Sequence, residues 1–235
     1  MWGVSGVRNL RVHWMLEEMG LKYEFHPVHP RSGQTFTPEF LKINPKHKVP
    51  VLQHGPLVIT ESAAITTYLV ESFEAPPGIH VPHDAAARAK LNQWSFFIMT
   101  ELDAHTLYVI RRHTTFKSLY GEAPTAVEAA TEYFHDQLDA IAPQLADDGP
   151  YLLGERLSSA DILLVTCLDW AAEYNFPVPQ AIFDYHKRCR SRPAYQQALR
   201  RTFPDPASMP MMVPCARQLP WAAIRESLST PRIIY

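Results

Sequence analysis

The hydrophobic pattern of this chain changes its period once, and a proline-rich segment marks the change. Before that segment, short apolar runs alternate with helical repeats; after it, residues 85–200 follow helical periods alone. The segment itself, residues 74–84, holds Pro76, Pro77 and Pro82 and no apolar repeat, which is typical of a linker. The sequence therefore predicts two domains, residues 1–75 and 85–201, joined by a linker at 76–84.

The first domain is predicted to mix strands and helices. Apolar residues from Val12 to Met19 follow the spacing of an amphipathic helix, and His54-Gly55-Pro56 separates two short strand-like runs as a hairpin turn does. The predicted elements are strands at 1–4 and Tyr23–Val28 on either side of that helix, a short helix after Thr37, strands at Val49–Gln53 and Leu57–Thr60, and a helix over Glu61–Phe73. A parallel crossover followed by a hairpin and a helix predicts a thioredoxin-like α/β domain.

The second domain is predicted to be an all-α helical bundle. Two apolar stripes run through it at helical spacing, one over Leu91, Trp94, Ile98, Leu102, His105 and Val109, the other over Val127, Phe134, Leu138, Ile141 and Leu145. The segment Ile162–Trp170 is apolar nearly all round, which predicts the buried central helix of the bundle. Further helices are expected at 180–190 and 193–201.

Residues 202–235 form a proline-rich extension. Because proline has a fixed φ, ordering such a segment costs less conformational entropy. Its apolar residues predict that it packs on the protein, either over the open end of the cleft between the domains or on the outer helices. These residues are Met209, Met211, Met212, Val213, Leu219, Trp221, Ile224, Leu228, Ile233 and Ile234.

Composition excludes several classes of protein. The net charge is −2, from 22 basic and 24 acidic residues, and gives no strongly basic face for nucleic acid. No apolar run approaches the ~18 residues of a membrane span, and the amino terminus lacks a secretory signal. Cys167, Cys189 and Cys215 lack the spacing of metal ligands. The sequence therefore predicts a cytoplasmic protein with free thiols and no metal site.

The segment Lys48-Val49-Pro50 lies at the start of a predicted strand. Proline has no N–H to donate, so Val49-Pro50 is poorly placed for ordinary sheet pairing. Either the bond is trans in an edge strand, as about 94% of X–Pro bonds are, or it is cis and Val49 offers its own N–H and C=O to a ligand. The residues alone leave both alternatives open.

Glu61-Ser62 begins the helix that follows the hairpin. A helix N-terminus is a natural site for a carboxylate, which Ser62 can join through its hydroxyl while Glu61 pairs with an ammonium group. The same residues can instead simply cap the helix.

Ser158 and Asp161 stand three residues apart before another helix; they are a capping-box variant and are interpreted as a folding signal.

Together these segments resemble the cytosolic glutathione transferase family over about residues 1–200. The matching motifs are Arg11-Val-His-Trp-Met-Leu-Glu-Glu-Met-Gly-Leu, Asn44-Pro45, Lys48-Val49-Pro50-Val51-Leu52, Glu61-Ser62-Ala63-Ala64-Ile65, and Gly154 with Ser158-Ser159-Ala160-Asp161. The resemblance implies glutathione as co-substrate and a cis bond before Pro50, with the Val49 backbone paired to the cysteinyl part. It also implies that Glu61 and Ser62 bind the γ-glutamyl ammonium and carboxylate, and that Lys48 meets the glycyl carboxylate.

One departure from the family pattern concerns the residue that holds the glutathione thiolate. Family members usually place Tyr, Ser or Cys in the loop before the first helix, whereas this loop is Ser5-Gly6-Val7-Arg8-Asn9-Leu10. Four positions before Arg11, where several Ser-type members carry the serine, stands Val7. The remaining donors are Ser5, Arg8 and Asn9. Asn9 is predicted first, because it lies nearest the helix start and its amide can donate to sulfur, and Ser5 second.

The sequence thus predicts a glutathione transferase that acts on a small hydrophobic electrophile. The electrophile would lie between the domains, against the first long helix, near the candidate residues Trp94, Tyr108, Arg112 and Phe116. A non-catalytic binding or assembly module and a glutathione-disulfide reductase are the alternatives. The presence of Glu61-Ser62 favours an enzyme over the binding module.

The resemblance also implies a homodimer. On the first long helix, Phe96, Phe97 and Met99 lie off the apolar stripe, so a second face of this helix is expected to contact something other than its own core. The partner subunit is the first expectation for that face, and the proline-rich extension is the alternative.

Overall fold

The order of helices and strands confirms an α/β thioredoxin-like domain followed by an all-helical domain. The structure, a computed structural model, describes residues 1–147, 149–205, 207 and 209–213. The first part contains α1 (Val7–Glu18), a 3₁₀ turn (Gln34–Phe36), α2 (Pro38–Ile43), β1 (Val51–His54), β2 (Leu57–Thr60) and α3 (Ser62–Ser72). The second contains α4 (Ala85–Phe97), a π-helix (Ile98–Leu107), α5 (Tyr108–His113), α6 (Lys117–Tyr120), α7 (Pro124–Asp147), α8 (Ser159–Ala172), α9 (Gln180–Arg190) and α10 (Pro193–Thr202).

The sheet of the first domain is smaller than the sequence predicts. β1 and β2 form the expected antiparallel hairpin. The strands predicted at 1–4 and 23–28 are reduced to a bridge, in which Trp2 pairs in parallel with His26 and antiparallel with Val51. The backbone leaves the extended region straight after Trp2, with φ 130° at Gly3 and 53° at Ser5. A strand cannot continue through these residues, but the thioredoxin-like order of neighbours is kept.

Helix α1 is buried along most of its length because both domains pack on it. Its predicted stripe of Val12, Met15, Leu16 and Met19 lies in the core. Glu18 accepts two hydrogen bonds from the guanidinium of Arg192, at 2.6 Å each, which ties α1 to the start of α10. Trp14 is fully buried and lies edge-on to Tyr195, with ring centroids 4.9 Å apart. Helix α1 therefore joins the two domains.

The long helix after the linker departs from the predicted apolar stripe. Leu91, Ile98 and Leu102 are buried as predicted, but His105 is exposed and Val109 is half-buried. Leu107 and Ile110 are buried in the core instead. The cause is the π-helix, whose i→i+5 hydrogen bonds put more residues into each turn than an α-helix does and so rotate the following side chains.

Helix α8 is the buried central helix that the sequence predicts, since every residue from Ser159 to Ala172 is buried. It begins with the expected capping box: the Ser158 hydroxyl accepts from Asp161 N–H, and the Asp161 carboxylate accepts from Ser158 N–H at 2.7 Å. The same carboxylate accepts from Leu152 N–H at 2.8 Å and from the Tyr185 hydroxyl at 2.7 Å. The interpretation as a folding signal is therefore confirmed.

The linker segment lies against the helical domain. Leu157 N–H donates to the Gly78 carbonyl at 3.1 Å, and His80 N–H donates to the Leu157 carbonyl at 2.8 Å. Ile79 between them is 2% exposed. These two hydrogen bonds and the buried Ile79 hold the linker in place on the helical domain.

The described start of the extension packs beside α9. Phe203 and Val213 are buried, whereas Met211 is 65% exposed. The Arg190 guanidinium donates to the carbonyls of Pro210 and Met211 at 2.8 and 3.1 Å. The remaining apolar residues on which the docking prediction rests lie outside the described residues, namely Leu219, Trp221, Ile224, Leu228, Ile233 and Ile234.

The helix face predicted to meet a partner subunit is only partly exposed. Phe96 is 67% exposed, but Phe97 packs on the core and lies edge-on to Trp94. Met99 is half-buried, with its sulfur 3.2 Å from Arg11. The homodimer stays a prediction, and of these three residues Phe96 is the one exposed for contact with a partner subunit.

Among the described helices, none is both long enough and apolar enough to cross a bilayer.

We predict that Asp161→Ala lowers the free energy of unfolding by about 2–4 kcal/mol, because it removes a helix cap and leaves buried N–H and O–H donors unpaired. Urea denaturation followed by far-UV circular dichroism measures the change. Asp184→Ala is the matched control, since the exposed Asp184 carboxylate accepts a hydrogen bond from Gln180 on its own helix and no other among the described residues. An equal loss in both variants would contradict a special role for the capping box.

Candidate functional site

A cavity of about 590 Å³ opens between the two domains. Its walls come from the loop before α1, the segment before β1, the start of α3, the π-helix, α5 and the end of α8. Ten of the sequence-predicted site residues line it: Ser5, Asn9, Lys48, Val49, Pro50, Glu61, Ser62, Tyr108, Arg112 and Phe116. Trp94 lies elsewhere, half-buried beside Phe97.

The Val49-Pro50 peptide bond is cis, which settles the alternative left open by the sequence. The Asn44 amide donates to the Lys48 carbonyl at 2.7 Å and so fixes the turn that precedes this bond. Within the described part of the chain, neither the N–H nor the C=O of Val49 has a hydrogen-bond partner. An extended backbone ligand can therefore pair with both groups from the cavity.

Ser62 and the first turn of α3 form a second polar wall. Glu61 precedes the helix with φ 68°, in the left-handed region that is costly for a side-chain-bearing residue, about 1–3 kcal/mol. It makes no side-chain cap, and its carboxylate turns outward to Lys46 Nζ at 2.6 Å. The N-terminal N–H groups of α3 thus keep their capacity for an anion. The Ser62 hydroxyl beside them accepts from Arg11 Nη1 at 3.2 Å, which leaves its own proton free to donate.

The two predicted thiolate donors differ in how they are held. The Asn9 amide nitrogen contacts two backbone carbonyls of its own loop, Val4 O at 2.9 Å and Ser5 O at 3.5 Å. Its oxygen packs against Gly3, where any Cβ would collide with it and would lie 2.9 Å from Val49 Cβ. The Ser5 hydroxyl lines the cavity without a partner among the described residues. The Asn9 amide is therefore engaged within its own loop, whereas the Ser5 hydroxyl has no such described partner.

Tyr108, Arg112 and Phe116 lie on the helical wall of the cavity, as the sequence predicts for the co-substrate side. Arg112 stands over the Tyr108 ring at 5.1 Å from its centroid. Three further arginines, Arg8, Arg31 and Arg111, line the same space. The sequence singled out Arg8 only as a possible thiolate donor and did not single out Arg31 or Arg111. The three arginines come from three segments far apart in the sequence, so no local pattern brings them together.

A buried ion-pair cluster beneath the cavity was also missed. Asp103 on the π-helix, 1% exposed, pairs with Arg8 and with Arg11 Nη2, the latter at 2.8 Å. Burial alone would raise the pKa of the Asp103 carboxyl, but Arg11 and Arg8 outweigh it and hold the pKa below its ordinary value. The sequence offers one signal for this cluster: the charged Arg11 stands between two apolar residues, Leu10 and Val12, in a mostly apolar helix.

Comparison with known proteins identifies the family. Residues 1–71 match the family described as glutathione S-transferase, N-terminal domain, and residues 97–193 match glutathione S-transferase, C-terminal domain. The chain belongs to the glutathione S-transferase family. The two matches together span well over half of the chain and coincide with its thioredoxin-like and helical parts.

Relatives within the glutathione S-transferase family carry different names for their activities. A glutathione S-transferase-like protein, gedE of Aspergillus terreus, is 31% identical over 71% of this chain and 75% of its own. A disulfide-bond oxidoreductase, YfcG of Escherichia coli, is 30% identical over 80% of this chain and 88% of its own. A Pseudomonas fluorescens family member, crystallised with two glutathione bound, superposes with a TM-score of 0.70 at 25% identity, over 84% of this chain and 90% of that one.

We predict that Asp103→Asn costs about 3–5 kcal/mol of unfolding free energy near neutral pH, because it leaves Arg11 buried without its counter-charge. Since the folded pKa of Asp103 lies below its ordinary value of 3.8, the stabilisation is complete well above that pH and is lost as the pH falls below it. Urea denaturation at several pH values should show the variants converging in acid.

The control for this comparison is Glu122→Gln, which removes an exposed pair with Lys117. Its unfolding free energy should not change measurably at any pH. A pH-independent difference between wild type and Asp103→Asn would show that packing, and not charge, gives Asp103 its role.

Proposed function

We propose that this chain binds glutathione along the thioredoxin-like wall of the cavity and uses its thiolate on a co-substrate held by the helical wall. One observation carries the proposal: two sets of backbone groups without partners among the described residues face one cavity. They are the N–H and C=O of Val49 and the N–H groups at the N-terminus of α3, which no side chain caps. Glutathione has the complementary parts, an extended peptide and a carboxylate at the γ-glutamyl end. The Pseudomonas fluorescens relative is described as holding two glutathione molecules.

Each end of glutathione has a candidate partner. The γ-glutamyl carboxylate would accept from Ser62 and the first N–H groups of α3, while its ammonium group pairs with Glu61. The cysteinyl N–H and C=O would pair with the Val49 backbone beside Pro50. The exposed Lys48 would meet the glycyl carboxylate. These contacts direct the sulfur toward the loop that contains Ser5 and Asn9.

In the proposed conjugation, the thiolate attacks the electrophilic carbon, and a C–S bond forms as the leaving group departs with its electron pair. Keeping sulfur as thiolate at neutral pH requires its pKa to fall ~2 units from about 8.5, or ~2.7 kcal/mol. One charge-assisted hydrogen bond of ~1.5–3 kcal/mol from Ser5 or Asn9 supplies most of this. The wall facing the sulfur provides the hydrophobic contacts for the electrophile.

Disulfide reduction is the second candidate, because the 30% identical Escherichia coli relative is named a disulfide-bond oxidoreductase. The described cysteines do not line the cavity, and burial raises the pKa of the Cys167 thiol to about 12. The attacking sulfur would therefore be that of glutathione in this reaction too. A turnover screen with aromatic halides, epoxides and disulfides separates the two activities, and binding without any turnover would support a non-catalytic module.

We predict that Ser62→Ala weakens glutathione binding by about 10- to 100-fold, because the γ-glutamyl carboxylate loses a charge-assisted hydrogen bond. Isothermal titration calorimetry measures the affinity. Ser72→Ala at the exposed end of the same helix is the matched control and should bind as wild type. Wild-type protein that shows no heat and no competition with glutathione analogues would refute the proposed function.

We also predict that Ser5→Ala raises the pKa of the bound glutathione thiol by about 1–2 units, since it removes a hydrogen bond to the thiolate. Thiolate absorbance across pH measures this pKa. Asn9→Ala is expected mainly to lower the melting temperature, because it frees the Val4 carbonyl. The reverse result, with the thiol pKa moving only in Asn9→Ala, would restore Asn9 as the donor.

A further inference from the structure

The cavity as a whole carries more positive charge than the carboxylates that line it neutralise. Glu61 and Asp103 line the cavity, but Glu61 pairs with Lys46, and Asp103 is occupied by Arg8 and Arg11. Within the described part of the chain, four further cations line the cavity without an ion pair to a carboxylate: Arg31, Lys48, Arg111 and Arg112. A purely hydrophobic co-substrate gives such a cavity no counter-charge.

Aromatic rings hold these guanidinium groups in place. Arg111 lies 4.8 Å from the Tyr108 ring centroid, 5.0 Å from Trp170 and 5.3 Å from Phe116. Arg31 stands over the Phe116 ring from the first domain, at 4.8 Å. Cation–π contacts orient a guanidinium without neutralising it. The cluster therefore keeps its positive charge in a space with aromatic walls.

Arg111 is the central member of the cluster. Its Nε–H is buried and has no hydrogen-bond partner among the residues that the structure describes. Burial, followed by the positive charge of Arg8, holds the pKa of its guanidinium below the usual value. Burial raises the pKa of the Glu173 carboxyl, although the charges of Arg111 and Arg31 act to lower it. A buried donor with this environment lacks an acceptor that a bound anion would supply.

We propose that the helical half of this cavity binds a small flat conjugated molecule that carries a carboxylate. Arg111 would receive the carboxylate, with Arg31 and Arg112 beside it, and the ring would pack against Tyr108 and Phe116. This inference rests on the proposed function for the chemistry that follows, and it narrows the co-substrate from a neutral hydrophobic electrophile to an anionic aromatic one.

The test uses binding and needs no turnover. para-Nitrobenzoate and its methyl ester share one ring and differ in charge, and each is titrated by quenching of tryptophan fluorescence with and without saturating glutathione. The acid is expected to bind about tenfold more tightly than the ester, since the half-buried Arg111 guanidinium gains a charge-assisted bond only with the acid. Added salt should weaken binding of the acid and leave the ester unchanged.

Arg111→Gln should weaken para-nitrobenzoate binding by about tenfold and change the ester by less than about twofold. Arg200→Gln removes the same charge from the exposed face of α10, away from the cavity, and should bind both ligands as wild type. If Arg111→Gln does not fold, the double variant Arg31→Gln/Arg112→Gln alters two exposed side chains of the same cluster and should give a loss of the same sign.

Equal affinity for acid and ester would overturn the proposal. So would a loss of glutathione affinity in Arg111→Gln as large as the loss for para-nitrobenzoate, because the arginines would then serve the glycyl carboxylate of glutathione. Cyclohexanecarboxylate, an anion without a flat ring, is the third ligand; binding of it as tight as that of para-nitrobenzoate would contradict the flat-ring requirement. Arginine-dependent binding of para-nitrobenzoate by a protein that fails to bind glutathione would refute the proposed function and leave this inference standing.

Discussion

The Arg11–Asp103 ion pair is the interaction on which both the domain arrangement and the cavity depend. The Arg11 guanidinium is fully buried and donates to Thr166 Oγ1 at 2.8 Å, Ser62 Oγ at 3.2 Å and Asp103 Oδ2 at 2.8 Å. These partners belong to α8, α3 and the π-helix. A buried charge without such partners costs several kcal/mol, so any shift of one element against α1 is opposed by the loss of a hydrogen bond. The position of Ser62 at the cavity is thereby coupled to the packing of the helical domain.

The π-helix explains how one element serves both the core and the cavity. Met99, Asp103, Ala104 and Tyr108 line the cavity, whereas Leu102 and Leu107 lie in the core. The cavity residues recur every four or five positions, which is the spacing that i→i+5 hydrogen bonding brings to one face. An α-helix of the same sequence would rotate Tyr108 away from the line of Met99 and Asp103. Sequence analysis with a 3.6-residue period therefore misplaced His105 and Val109.

Sequence predicted the parts of the site that depend on short motifs. Val49-Pro50 and Glu61-Ser62 are contiguous. The missing proline N–H and the helix N-terminus left two alternatives open at each motif, and the resemblance to the family implied the ligand-binding one. The fold class followed from periodicity, since a change from mixed to purely helical spacing needs no long-range information. Residues 1–4 and 23–28 have strand-like composition, but the left-handed turn at Ser5 limits their pairing to Trp2 and its neighbours.

The arginine cluster was predicted only in part, for a different reason. Arg112 and Arg8 were each singled out alone from the sequence, whereas Arg31 in a loop and Arg111 in α5 belong to no local motif among the 22 basic residues of the chain. Their meeting depends on how the domains pack, and the overall charge of −2 conceals a strongly positive local site. Net charge therefore says nothing about the sign of an internal cavity.

The same charge bears on the absence of Tyr and Cys from the loop before α1. A cation within about 10 Å stabilises a thiolate by ~1–2 kcal/mol at an effective dielectric constant near 20. Several unpaired arginines can therefore supply part of the ~2.7 kcal/mol that a single hydroxyl donor supplies elsewhere. An anionic co-substrate would neutralise some of those cations as it binds. The thiolate would then lose stabilisation, and become more nucleophilic, at the moment its reaction partner arrives.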